Sequence, residues 1–439
     1  MLWEQQLEYA SLSDVGMKRQ NNQDSVTISM ELERDGWERY GHLFVVADGM
    51  GGHAVGELAS KMAIDTLPLT YKKSDRETMA AALTDAMQET NAAIHERGSL
   101  NHDFQRMGTT CSALVLGPEG ALIGHVGDSR VYRVRNGRID QLTFDHSLQW
   151  EKLRRGEGPP EEIFLHHPKN IITRSMGPEP QVQVDLEGPY PVLPGDAYIV
   201  CSDGLTNHVK DEEIGLAAQE LSAAAACRYL VNLANLRGGN DNITVAIAKV
   251  GAIPEGAQPS RVRRDPTQGG ELSGLWLGIA WIVAAFFCLG TILALTGHVI
   301  GGLTIALGAV VAAGILLIRW KKTLPPARAS DNSRSTILWR PYRNASAKLT
   351  RAHLNDVIQI QSRMYQVAED EQWEYDRQLY QKLTEDGQAA IAAKAHREAY
   401  RNFTQAIDAL MSGLKKRTRK KTQDSKLFRL PPAASQQKN

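Results

Sequence analysis

"VVADGMGGH", residues 45–53, carries an aspartate to the end of an apolar β-type run and places three glycines in the next four positions. An Asp-Gly pair between apolar runs is a common hairpin signal, because glycine accepts positive φ without steric cost. The same pattern suits an ion site, where glycines let backbone carbonyls approach a hard cation and the aspartate balances its charge. The stretch alone does not choose between the two.

Other acids share the setting. Asp128 ends "ALIGHVGD", Asp203 ends "DAYIVCSD" and Asp241 opens "DNITVAIAKV", while Asp24 follows the polar run "RQNNQD". Acids at the tips of adjoining strands suggest a common rim. Carboxylates gathered there repel and raise each other's pKa unless cations hold them. An oxygen-only set selects Mg²⁺ or Mn²⁺ over zinc.

The surrounding chain alternates two periodicities up to about residue 252. "GHLFVVAD", "TTCSALVLG", "ALIGHVGDS", "DAYIVCSD" and "NITVAIAKV" have the β-branched and aromatic bias of strands. "GELASKMAIDTL", the run 75–97 and "AAACRYLVNLANL" repeat apolar residues at helical spacing. Short Gly-containing turns such as "GPEG" and "RNG" join neighbouring strands, so an α+β fold with largely antiparallel sheets is expected.

The 439 residues carry 50 Lys/Arg and 50 Asp/Glu, unevenly placed. Residues 1–318 hold 26 basic against 38 acidic side chains, and residues 319–439 hold 24 against 12. Between the halves, 47 residues from Leu272 to Ile318 lack Asp, Glu, Lys and Arg. As helix they would span about 70 Å, twice a hydrocarbon layer of about 30 Å. We therefore expect a transmembrane hairpin over 272–320, with membrane contact through 275–318 and "TGH" as its turn. Arg261, Arg263 and Arg264 before it, and Arg319, Lys321 and Lys322 after it, place both ends in the cytoplasm. Four scattered cysteines without a CxxC pair argue against a disulfide framework.

The expected organisation is an α+β region over 1–252, a linker over 253–271, the hairpin, a flexible joint over 321–344, a helical cytoplasmic region over 345–414 and a basic disordered tail over 415–439. Gly387 is expected to separate two helices of the tail region, which reads as a small bundle or partner-binding helices, with a coiled coil as the alternative. "KKRTRKK", residues 415–421, could lie on anionic lipid. Nucleic acid is not an expected partner.

Seven ordered motifs carry a resemblance: "SDVGMKRQNNQDS", "VVADGMGGHAVGE", "GTTCSALVL", "GHVGDSRVYRVRNGRIDQLTFDHSL", "NIITRSMG", "PGDAYIVCSDGLTNHV" and "GGNDNITVAIA". In order and spacing they resemble the metal-dependent protein phosphatases (PPM, type 2C), bacterial branch, over about residues 8–250. The resemblance favours the ion site at residue 48. It implies two packed antiparallel β-sheets flanked by helices, an α-β-β-α sandwich with a two-metal centre at one end. It also implies a Ser/Thr phosphatase acting on phosphorylated proteins in a kinase pathway, with two Mn²⁺ or Mg²⁺ ions and a weaker third site.

Carried over motif by motif, Asp48 resembles the bridging ligand, with the Gly49 carbonyl completing one coordination sphere and Asp203 and Asp241 holding the other metal. Asp24 resembles an outer ligand acting through water, and Asp128 the acid that shares a third metal with Asp203. Arg19 matches the arginine that grips the substrate phosphate. Such a centre holds the phosphate and activates a water for in-line attack. Gln23 departs from the glutamate of many relatives, and Met50 stands where eukaryotic members carry a histidine. His53 is then the nearest candidate general acid, or equally a support for the glycine turn. Residues 146–170 occupy the place of the family's flap. There Arg154 and Arg155 could meet acidic substrate or form a solvated helix face, and His166 and His167 read as exposed loop histidines. Cys111 and Cys201, though beside motif residues, lie in no phosphate-cradling loop.

Overall fold

Phe44 and Val46 bury their side chains on one face of the strand that leads to Asp48, and Leu43, Val45 and Ala47 bury theirs on the other. A strand with two buried faces reads as a continuous apolar run rather than an alternating one. The computed structural model describes residues 7–251, except 52, 101–103, 105, 106 and 169, scattered positions within 288–310, and 342–427. The side chains of 53, 54 and 418–427 fall outside that description.

The first half of the N-terminal region contains β1 (Leu7–Asp14), β2 (Asp24–Ser29), α1 (Arg34–Tyr40), β3 (His42–Met50), α2 (His53–Lys73), α3 (Met79–Ser99), β4 (Gly108–Thr109), β5 (Cys111–Gly117) and β6 (Gly120–Val126). It continues through β7 (Arg130–Arg135), β8 (Arg138–Gln141), α4 (Leu148–Arg154), α5 (Pro160–His166), β9 (Asp185–Tyr190), β10 (Ala197–Cys201), α6 (Asp203–Thr206), α7 (Asp211–Glu220), α8 (Ala223–Leu236) and β11 (Ile243–Val250). The C-terminal region adds β12 (Arg343–Ser346), α9 (Arg351–Asp370), α10 (Arg377–Ala392) and α11 (His396–Leu427).

Two antiparallel sheets result, β1-β11-β10-β7-β8-β12 and β2-β3-β5-β6-β9, with β4 paired to β3. Phe44, Val46, Leu114 and Ile123 of one sheet pack on Val131, Tyr198, Val200 and Ala246 of the other. The outer face of the second sheet packs on Leu67, Leu83 and Met87 from α2 and α3. On the opposite side, Ile199, Val245 and Ile247 pack on Leu230 and Leu233 of α8. Period-two alternation therefore feeds an inter-sheet core and two sheet–helix cores.

The C-terminal region packs on the N-terminal one, while residues 321–341 of the expected joint lie outside the described residues. Arg343 and Asn344, expected within the flexible segment 321–344, lie in β12, which pairs with β8 in the register Arg343↔Gln141 to Ser346↔Arg138. Leu354, Val357, Tyr400, Phe403, Ile407 and Leu410 share one core with α8. Asn232 Nδ2 also donates to Asp408 Oδ1 at 2.8 Å. Residues 7–251 and 342–427 accordingly belong to one compact unit, and Arg263–Trp339 to a second.

Gly387 does not break a helix, as it lies inside α10. A Cβ there would stand 2.9 Å from the Phe403 ring, so the glycine serves close helix packing. The breaks fall instead after Asp370 and after Ala392, where Gln372 and Lys394 take a positive φ. Gly387→Ala gains helix propensity of about 1 kcal/mol but overpacks the ring at a cost of about 1–3 kcal/mol. A lower Tm is the expected outcome in thermal unfolding. Residues 415–427, expected within a disordered tail, continue helix α11 to Leu427, and 428–439 lie outside the described residues.

Most of the hairpin expected over 272–320 lies outside the described residues. Among the described residues no helix is long and apolar enough to cross a membrane.

Candidate active site

Register brings the acids together. Asp24 stands directly opposite Asp48 across β2 and β3. Asp203 follows β10 and Asp241 precedes β11, and these strands are antiparallel neighbours, so the end of one meets the start of the other. Asp128 lies between β6 and β7, where the chain passes from one sheet to the other.

Glycine decides how closely the backbones meet. Gly49 and Met50 continue β3 and pair with Thr109 and Gly108, so the stretch is not a two-residue hairpin. A Cβ on Gly49 would lie 2.0 Å from the Gly56 carbonyl oxygen, so only glycine lets α2 sit against this strand. Likewise a Cβ on Gly204 would lie 1.9 Å from the Asn242 carbonyl oxygen, and its absence draws Asp203 towards Asp241.

Arg19, Asp48, Gly49, Asp128, Asp203 and Asp241 line one cavity of about 540 Å³. Asp24 lies behind it, 6% exposed, accepting a 2.7 Å hydrogen bond from Ser202 Oγ. Arg19 Nη2 donates to Asp241 Oδ2 at 2.9 Å. Met50 lines the cavity as well, and the His53 side chain lies outside the described residues.

The electrostatics are those of crowded, dehydrated carboxylates. Burial, then repulsion from Asp24, Asp203, Asp128 and Asp241, raises Asp48 well above the usual range. Burial, then Asp203 and Asp145, does the same to Asp128. Asp203 is raised by burial and Asp241, an effect moderated by hydrogen bonds with Asn207 and Asp48. Asp24 is pushed up to about 7, chiefly by burial and against hydrogen bonds from Ser202 and Thr244. Asp24 Oδ1, Asp128 Oδ1 and Asp203 Oδ1 are buried without a hydrogen-bond partner.

Such orphaned oxygens are costly unless a cation meets them. The donor set is all oxygen, so the residues fit Mg²⁺ or Mn²⁺. Among the described residues no three His, Cys, Asp or Glu side chains already close on a single point. Hard cations of this kind usually keep several waters, so a complete protein cage is not required. The thiols offer no rival chemistry, because burial pushes Cys111 and Cys201 up to about 12.

Several supports lack a sequence signal of their own. Asn242 donates through Nδ2 to the carbonyls of Val15 and Asn21, both at 3.0 Å, and accepts from Gln23 N at 2.8 Å. It thereby pins the loop that carries Arg19. Thr110 Oγ1 accepts from Asp48 N at 2.9 Å, and Asn207 Nδ2 donates to Asp203 Oδ2 at 3.0 Å. Gln23 acts through its backbone, its carbonyl accepting from Gly49 N and Ser60 Oγ. Asn242, Thr110, Asn207 and Gln23 all stand inside the quoted motifs, which place them near the acids without showing these contacts.

The flap region holds α4 and α5. Arg154 pairs with Glu151 Oε2 at 2.6 Å and covers the Phe144 ring at 4.8 Å. Arg155 is more exposed and sits 3.6 Å from Glu157 Oε1. His166 ends α5, and the His167 carbonyl accepts from Gln149 Nε2 at 2.6 Å.

Residues 17–235 match the family model described as protein phosphatase 2C. The protein phosphatase PhpP of Streptococcus pneumoniae is 37% identical over 248 residues, 56% of this chain and 98% of that protein. The chain belongs to the protein phosphatase 2C family. Solved structures agree with this assignment. The Mycobacterium tuberculosis serine/threonine phosphatase PstP superposes with a TM-score of 0.50 at 34% identity, covering 56% of this chain and 99% of that one. The Streptococcus agalactiae serine/threonine phosphatase gives 0.50 at 35% identity, with the same coverage. This phosphatase is thus an enzyme, a metal-dependent protein serine/threonine phosphatase.

Arg19 has one expected role that a substitution isolates. Arg19→Ala should lower kcat/KM on a phosphopeptide by about 10²-fold, the order seen when one charge-stabilising donor is removed. Inhibition by inorganic phosphate should weaken in parallel.

Proposed function

We propose that this phosphatase is membrane-tethered, dephosphorylates cytoplasmic phosphoserine and phosphothreonine proteins and so opposes protein kinases. The observation that carries the catalytic part is the convergence of Asp48, Asp128, Asp203, Asp241 and Arg19 on one cavity, with carboxylate oxygens left unpartnered. Two divalent cations, Mn²⁺ or Mg²⁺, supply Lewis-acid chemistry and an activated water when bound, and a weaker third site is proposed at Asp128 and Asp203.

The chain's own residues do the rest. Asp48, Asp203 and Asp241, with the Gly49 carbonyl, supply the scaffold. Asp24 supports it from behind, fixed by Ser202. Arg19 leaves Asp241 to take the phosphate, orienting the ester and meeting charge that develops on its oxygens. His53, at the start of α2, is proposed as the acid that protonates the leaving serine oxygen.

The tether rests on the 47 uncharged residues between Leu272 and Ile318 and on their basic flanks. Leu295 and Ile300, among the described residues of that stretch, expose 86% and 84% of their surface, as lipid-facing side chains would. Lipid contact by 415–421 is a weaker proposal. Lys415 already pairs with Asp14 at 2.8 Å and Arg417 with Glu371, so two of the six charges have protein partners.

Full-length protein stripped by a chelator should be inactive on phosphopeptides and recover with Mn²⁺ or Mg²⁺. Undiminished activity after exhaustive chelation would overturn the metal roles. Release from membranes by alkaline carbonate would overturn the tether.

A further inference from the structure

Residues 342–346 lie beyond the matched span 17–235, yet they reach the edge of the active site. A second cavity of about 630 Å³ shares Asp128 and Asp203 with the first, and its walls include Arg130, Asp145, Trp150 and Arg343. Arg343 therefore comes from the C-terminal region into the neighbourhood of two proposed metal ligands.

Its contacts run inward. Arg343 Nη2 stands 3.7 Å from Asp211 Oδ2. Asp211 Oδ1 accepts from Tyr132 OH at 2.9 Å, and that hydroxyl accepts from Arg130 Nη1 at 3.0 Å. Arg130 grips Asp145 with both Nε and Nη2, at 2.9 and 2.7 Å to Oδ2. The same guanidinium offsets the raised pKa of Asp128.

Tyr342 holds the other side of the same loop. Its backbone N–H donates to the Gln141 carbonyl at 3.0 Å, and Gln141 Nε2 donates to Asp145 Oδ1 at 2.8 Å. Its hydroxyl donates to Glu187 Oε1 at 2.5 Å. Its ring lies 5.5 Å from Phe144, which meets Trp150 of α4 edge-on at 5.4 Å. His146 then closes the loop onto the residue before Asp128: its N–H donates to the Gly127 carbonyl at 2.7 Å, and its Nδ1 accepts from Gly127 N at 2.9 Å.

We infer that Tyr342 and Arg343 are positioning residues of the phosphatase: they fix the loop 142–147 and, through it, Asp128 and helix α4. The C-terminal region thus forms part of the support of the catalytic centre. Hydrophobic docking through Leu354, Phe403 and Ile407 holds the region in place, whereas the polar and aromatic contacts of 342 and 343 reach the loop. The link to Asp128 rests on the proposed metal role, and the link to α4 does not.

The test uses full-length protein with Arg343→Ala, Tyr342→Ala, the milder Tyr342→Phe, the conservative Arg343→Lys, and Leu354→Ala as a docking control. Hydrogen exchange of residues 148–154 is read on metal-free protein, alongside the Mn²⁺ concentration for half-maximal activity. Exchange there should quicken about 10-fold in Arg343→Ala and Tyr342→Ala, and less in Tyr342→Phe, because opening of a local unit tracks the contacts that hold it. Half-saturation by Mn²⁺ should rise about 3- to 10-fold, less than the 10- to 100-fold typical of a direct outer-shell partner. Arg343→Lys should restore most of both. Leu354→Ala, which loosens docking without touching the loop, should lower Tm and move both readouts less than Arg343→Ala does. Unchanged exchange at 148–154 in Arg343→Ala and Tyr342→Ala would overturn the inference. Quickened exchange with unchanged Mn²⁺ dependence would overturn the Asp128 arm alone.

Discussion

Asp48→Asn should cut phosphopeptide hydrolysis by at least about 10³-fold while raising the Tm of the metal-free protein at pH 7.5. The first effect follows from the role of Asp48 as the proposed bridging ligand. Metals at such centres supply several kcal/mol of charge stabilisation, and each 1.36 kcal/mol is tenfold in rate. The second effect has the opposite sign because Asp48 is buried and repelled by Asp24, Asp203, Asp128 and Asp241. An amide keeps the shape and removes the charge, so the empty centre relaxes. Parallel phosphopeptide kinetics and calorimetry check both signs, and a lower Tm would show that Asp48 is a structural rather than a strained residue. Asp203→Asn should behave alike, with a smaller gain because Asn207 already stabilises its charge.

Metal-free phosphatase should also lose stability as pH rises from about 4 to about 7, and Mn²⁺ should reverse that trend. Asp24, raised to about 7, holds its proton in the folded chain over a range where the unfolded chain has released it. The folded state binds more protons there, so stability falls as pH climbs through that window. Asp48, Asp128 and Asp203 are raised too and add in the same direction. Below about 4 the sign changes. Asp185, lowered to about 2 by His146 and Arg174 against its burial, then loses its contribution. A cation replaces the protons at neutral pH, adding about 2.7 kcal/mol when present at about 100 times its Kd. At pH 5 the gain should be smaller, because protons compete for the same oxygens. Thermal melts across pH 4–8, with and without Mn²⁺, would show this crossing of curves. A flat metal-free profile would mean that water already relieves the carboxylates.

Read by itself, the amino-acid sequence determined the two periodicities of the N-terminal region and the placement of Asp48, Asp128, Asp203 and Asp241 at strand tips. It did so because each cue is local. Residues 43–47 read as a strand from their own side chains, and an aspartate beside glycine marks a place where backbone must come close. The motifs then tied those tips to one site. Other features were decided only by tertiary structure. Arg343–Ser346 carries no strand signal, since its sequence "RNAS" gains order by pairing with residues 138–141, two hundred positions away. Asn242, Ser202 and Thr110 are ordinary polar residues until folding sets their hydrogen bonds beside the carboxylates. Gly387 reads as a break along the chain and becomes a packing site once Phe403 stands against it. Periodicity reports which face of an element is apolar, but it does not report what will cover that face. For α9 and α10 the cover is α11, and α11 in turn packs on α8, which only the fold brings to it.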